Sequence, residues 1–137
     1  MTVNLGLVLE AEYAHPVEKV WSALTTAEDI AAWLMPNDFE PSVGKNFTLH
    51  GTPMPGWRGW ANCEVLELHP PHRMVWSWVA ADDGLKTKAT FELTRLHTGT
   101  RLTLRHEGET DATIAKLLSG GWPARLDGLT VLLAHPE

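Results

Sequence analysis

Eight residues of this chain are of types that together could hold a small molecule: Trp57, Trp60, Trp76, Trp78, Phe91, His106, Trp122 and Leu126. Trp76 and Trp78 stand one residue apart in "RMVWSWVA". On a strand, successive side chains alternate faces, so Met74, Trp76 and Trp78 point one way while Val75, Ser77 and Val79 point the other. The same parity places Phe91 with Ala89 and Leu93, and His106 with Leu102 and Leu104. Trp122 and Leu126, four apart, share a face if their segment is helical. Trp57 and Trp60 would join the wall from a neighbouring strand. Aromatic lining with few polar groups suits a small-molecule pocket of roughly 300 to 1,000 Å³. The competing outcome is an indole-filled core. At about 24 cal/mol per Å³, a dry void of about 300 Å³ would cost roughly 7 kcal/mol, against a typical total stability of about 5 to 15 kcal/mol. Either the indoles occupy most of the space, or water or a ligand does, and a wet cavity needs a polar anchor such as His106.

Reactive chemistry has fewer candidates. His106 would be the acid or base of an enzyme, but a histidine on an apolar parity is more often a hydrogen-bonded core residue. His69 and His72 flank two prolines without an evident third ligand, so no metal is expected. Cys63 would need an adjacent base and an electropositive setting to act as a nucleophile. Glu107 and Glu109 share a parity, yet paired carboxylates near a sheet edge are usually solvated. No nucleophile elbow, phosphate-cradling loop or dinucleotide fingerprint is present, and nothing calls for a cofactor.

The elements that must position these residues are legible in the hydrophobic period. Leu5, Leu7, Leu9, Ala11 and Tyr13 share one parity and predict a first strand. Pro16 suits a first helical position, and Val17, Val20, Trp21 and Leu24 form one helical stripe. Thr25 and Glu28 resemble a capping box that would restart a second helix through Ile30, Trp33 and Leu34. Strands are then expected over 43–50, 57–68 and 73–80, through "KATFELTRL", and from Leu102 to Glu107, with turns at "HPPH", "DDG" and "HTGT" between the later ones. From Asp111 the pattern is helical but interrupted at "SGGWP", with Pro123 opening a restarted helix whose apolar face carries Trp122, Leu126, Leu129 and Leu133. Antiparallel strands with helices gathered on one face predict an α+β architecture.

The chain has 137 residues, enough for one core, and a single domain spanning 1–137 is expected. Seventeen acidic against eleven basic residues, the latter scattered, make nucleic acid a poor partner. Cys63 is the sole cysteine, which excludes an internal disulfide framework and points to a reducing, cytoplasmic setting. No apolar run is long enough to cross a bilayer. Trp33 or Trp57, if surface-lying, would mark a patch for a homodimer.

The order strand, two short helices, antiparallel strands and long last helix resembles the helix-grip fold of the START-like superfamily, also called SRPBCC. Within it the chain is similar to the branch related to the C-terminal domain of the activator of Hsp90 ATPase. The matching segments are "PVEKVWSALTTAEDIAAWL", "PSVGKNF", "VLELHPPHRMVWSW", "GTRLTLRHEG" and "GGWPARLDGL". The resemblance implies a curved sheet gripping the last helix with a cavity between them. It implies no one chemistry, since the superfamily includes lipid carriers, hormone receptors and polyketide cyclases. Three functions are therefore carried forward: a carrier or sensor of a small apolar or aromatic molecule, a cyclase- or hydrolase-like enzyme, and a stress-response protein that associates with a chaperone.

Overall fold

Period-2 alternation lays down six strands, and the computed structural model, which describes residues 1–134, joins them in one antiparallel sheet. In chain order these are β1 (Thr2–Tyr13), β2 (Asn46–His50), β3 (Trp60–His69), β4 (Arg73–Val79), β5 (Thr87–Leu96) and β6 (Gly99–Asp111). Their order across the sheet is β1-β6-β5-β4-β3-β2. Residues 135–137, which the expected domain includes, lie outside the described residues.

β1 starts earlier than its apolar parity suggests, because it pairs with β6 from Thr2↔Asp111 to Tyr13↔Thr100. Backbone pairing, not side-chain pattern, extends it. β2 and β3 are shorter than expected. Gly44 turns the chain with a φ of +88° before β2, and Gly56 and Gly59, at +87° and +99°, hold the segment before β3 out of the ladder. Trp57 therefore sits in a loop and not on the strand assigned to it from sequence.

Helices α1 (Val17–Leu24) and α2 (Ala27–Trp33) follow β1, with Pro16 capping α1 from just outside it. The expected capping box is absent. The Thr25 hydroxyl donates back to the Trp21 carbonyl at 2.8 Å and Thr26 to that of Ser22 at 2.7 Å, so both hydroxyls tie off the end of α1 instead of starting α2.

A larger correction concerns the last helix. α3 runs unbroken over Ala112–Ala134, through Gly120, Gly121 and Pro123. Proline inside a helix costs about 3 kcal/mol because it removes an N–H and crowds the preceding turn. Here its ring faces outward, while buried residues on both sides of it, Ile114, Ala115, Trp122, Leu126, Leu129 and Leu133, hold the helix against the sheet and α2. At about 1.5 to 3 kcal/mol for each large side chain, burial outweighs the local penalty.

The sheet thus grips α3 as the resemblance implies. The C-terminal end of the helix is also tied by polar contacts. Tyr13 Oη donates to the Leu126 carbonyl at 3.4 Å, and Lys19 Nζ donates to that of Leu133 at 2.8 Å. A cation there satisfies an open carbonyl and opposes the helix dipole.

Candidate functional site

Along β4, Trp76 and Trp78 both face α3, as their parity demands, but they meet different surroundings. Trp76 is fully buried, with ring centroids 5.8 Å from Phe39, 5.0 Å from Phe47 and 4.7 Å from Phe91. These edge and tilted contacts pack a solid aromatic cluster. The indole Nε1 of Trp76 is the one buried side-chain polar atom without a hydrogen-bond partner among the described residues.

Two residues on, Trp78 forms one wall of a cavity of about 500 Å³. Trp122 of α3 and Trp57 of the loop between β2 and β3 form two more, and Met35, Met54, Leu117 and Leu118 are among the residues that add apolar surface. The lining includes exposed Met54, Lys116 and Arg125, so the space reaches the surface and is no dry void. Gly121 of α3 also lines it, and a Cβ built there would meet no atom within 4 Å. Glycine in a helix interior costs about 1 kcal/mol relative to alanine. At this position the missing side chain leaves cavity volume open.

The loop that carries Met54 and Trp57 is held by close backbone approach. A side chain on Gly56 would collide with Thr113 at the start of α3, and one on Gly51 would press on the Trp57 ring, 2.9 Å from Cζ3. Both glycines let the loop lie flat over the end of the helix.

His106 stands behind Trp78 and Trp122 in a completed chain of hydrogen bonds. The Trp122 Nε1–H donates to His106 Nδ1 at 3.0 Å, which requires the proton on Nε2. That proton is donated to Thr87 Oγ1 at 2.7 Å, and the Thr87 hydroxyl donates to the Trp78 carbonyl at 3.4 Å. Burial lowers the histidine's pKa from about 6.5 to about 3 and holds the ring neutral. With both nitrogens engaged by protein, the ring has no free lone pair or proton to offer a substrate. It fixes the indole that forms the cavity wall.

Of the residues expected to form a binding wall, Trp57, Trp78 and Trp122 come together around the cavity. Trp76 and Phe91 lie in the solid core beside it, Leu126 packs further along α3, and His106 orients Trp122 from behind. Trp60 is on the other face. It is 40% exposed, and the Arg58 guanidinium stacks 4.5 Å from its ring centroid while bonding to Asp82 and Asn62. Ala61, Cys63 and Val65 are the inward residues of β3, so the parity of that strand excludes Trp60 from the wall. Trp33 is buried, donating its indole N–H to the Ala23 carbonyl at 2.9 Å, and cannot belong to a surface patch.

Sequence reasoning did not place Met35, Met54, Lys116, Gly121 and Arg125 at the site. The signal for Gly121 was its position within an otherwise helical pattern, where a glycine with no turn to make marks close approach or empty space. The remaining reactive candidates sit apart. Burial pushes the Cys63 thiol up, away from the reactive thiolate. His69 Nε2 lies 3.3 Å from Glu67, and His72 Nδ1 lies 3.4 Å from the Leu93 carbonyl. Glu109 accepts a hydrogen bond from Thr2. No helix among the described residues is long and apolar enough to cross a membrane.

The family model of the activator of Hsp90 ATPase homolog 1-like protein matches residues 14–134. Protein MLL2253 from Mesorhizobium loti is 34% identical, with a TM-score of 0.84 over 100% of this chain and 99% of its own. Protein BH1534 from Bacillus halodurans is 26% identical, with a TM-score of 0.76 over 93% of this chain and 96% of its own. A Rhodobacter sphaeroides protein is 27% identical, with a TM-score of 0.78 over 95% and 92%. No curated protein matches the chain significantly. The chain belongs to the activator of Hsp90 ATPase homolog 1-like family and has the START-like helix-grip fold.

Proposed function

We propose that this family member binds a small apolar or aromatic molecule in the cavity between its sheet and α3, and acts by sequestration, carriage or sensing in the cytoplasm. The observation that carries the reading is the open aromatic cavity itself: about 500 Å³ walled by Trp57, Trp78 and Trp122, with a helix-interior glycine where a side chain would fit. The volume falls in the usual range for ligand pockets. Beginning to fill the space would be cheap for the fold, since a Cβ at Gly121 meets no atom within 4 Å. Keeping it empty forgoes stability, and a ligand explains why.

An acid or base role for His106 fits less well, because Trp122 and Thr87 take both ring nitrogens. The family's name concerns regulation of Hsp90 ATPase. The feature that distinguishes this chain's core is a cavity, and the reading follows the cavity.

Native mass spectrometry of gently purified protein tests the proposal. The expected result is an added mass that leaves on denaturation and is missing from Gly121→Leu, whose side chain would occupy the space. A clean apo mass in the wild type, together with tryptophan fluorescence unmoved by a chemically diverse set of apolar ligands, would overturn it.

A further inference from the structure

Charge is distributed unevenly around the cavity. Among the residues that line it, Lys116 and Arg125 are the only charged ones, and no Asp or Glu is present, in a chain with a net charge of −6. Elsewhere cations are mostly occupied. Lys45, Arg58, Arg73, Arg95, Arg101 and Arg105 pair with carboxylates, and Lys19 donates to the Leu133 carbonyl. Four cations have neither a carboxylate nor a carbonyl partner among the described residues: Lys86, Lys88, Lys116 and Arg125. Two of those four border this cavity.

The interior has little else with which to recognise a polar group. Of the three indoles that wall it, Trp122 spends its N–H on His106, which leaves the neutral N–H groups of Trp57 and Trp78 and no charged group inside. Recognition of a charge is therefore confined to the rim, where two exposed cations on α3 border a three-indole interior. Long cationic side chains lie along apolar surface and keep their heads in water. Placed so, they can meet a negative group that remains at the mouth while the ligand's body goes in.

We infer that the ligand is an aromatic carboxylate, its ring system held among Trp57, Trp78 and Trp122 and its carboxylate drawn to the cavity mouth that Arg125 and Lys116 make positive. This rests on the ligand-binding reading above and adds the chemistry of the head group. Indole walls favour flat rings through offset and edge contacts. Arg125 can grip a carboxylate with two N–H donors, and Lys116 adds a compact second charge. At about 500 Å³ the cavity admits a bicyclic aromatic acid.

The test is a head-group series on one ring: 2-naphthoate, 2-naphthylmethanol and 2-naphthylmethylamine, titrated by calorimetry into the wild type and into the Lys116→Gln/Arg125→Gln double variant. In the wild type the carboxylate should bind about tenfold more tightly than the alcohol, and the amine most weakly. The carboxylate's advantage should shrink towards unity in the double variant, and in the wild type at roughly 1 M salt, where screening reaches about 3 Å. An alcohol that binds as tightly as the carboxylate in the wild type, or an advantage that survives the double substitution, overturns the head-group assignment while leaving the cavity reading in place. Failure of all three compounds to bind overturns both.

Discussion

The two ends of α3 are built on opposite terms. Towards its C-terminal end, Leu126, Leu129 and Leu133 are buried, and Tyr13 and Lys19 donate to backbone carbonyls of the helix. Towards its N-terminal end, the helix presents Gly121, Lys116 and Trp122 to an open space. β4 repeats the division at the scale of two residues: Trp76 is locked among three phenylalanines and Trp78 faces the cavity. The contrast shows how one wall serves both purposes. A close-packed end secures the helix, which permits the other end to remain unfilled, since the stability forgone at the cavity is offset by the packing beside it.

The largest expected effect comes from breaking the packed end. Trp76→Ala should lower the unfolding free energy by about 4 kcal/mol, as large-to-small changes of buried aromatics do, whereas partly buried Trp57→Ala should cost about 1 kcal/mol and weaken 2-naphthoate binding about fivefold. Urea denaturation and calorimetry read the two. Equal stability losses would erase the division between core and cavity wall.

Next is the pH response of the hydrogen-bond chain between the two regions. Burial depresses the folded-state pKa of His106 to about 3 from about 6.5, so the unfolded chain binds the extra proton between those values. The stability held by the neutral ring is full above about pH 6.5 and is lost as pH falls towards 3. At 1.36 kcal/mol per unit, acidification from pH 6.5 to 4 should cost roughly 3 kcal/mol through this residue. Glu18 and Glu67, held below the usual carboxylate range by bonds to their own backbone N–H and Arg95, and to Arg73, act in the same direction at lower pH. A His106→Leu variant separates them: it should be less stable at pH 7 and lose less on acidification. An unchanged pH profile would show that the histidine is not neutral in the fold.

Smaller effects sharpen the cavity end. Gly121→Ala should raise stability by about 1 kcal/mol, since the new methyl meets no atom within 4 Å and alanine favours the helix; a loss in thermal or urea unfolding would mean that the space is not open. Lys116→Gln with Arg125→Gln should leave the unfolding free energy within about 0.5 kcal/mol, as expected of exposed, unpaired cations. A larger change would give them a structural role.

The alternation of β4, β5 and β6 and the stripe of the last helix were legible because each reports a local period that burial on one side enforces. Those periods, with the order of elements, determined the α+β class and the inward facing of Trp76, Trp78, Phe91, His106 and Trp122, while the helix-grip arrangement was implied by the family resemblance. A single cysteine in the composition settled that Cys63 has no disulfide partner within the chain. Three matters were decided only in three dimensions. α3 crosses Pro123 because burial on both sides outweighs a local preference to stop. Trp60 turned outward once β3 began at that residue and its parity was set by pairing with β2 and β4. Which indoles fill space and which enclose it depended on partners distant in the chain, Phe39, Phe47 and Phe91 around Trp76, but Gly121 and the loop of Met54 and Trp57 beside Trp78. A period records which side of an element is buried; the volume left between two buried sides is set by how their side chains meet.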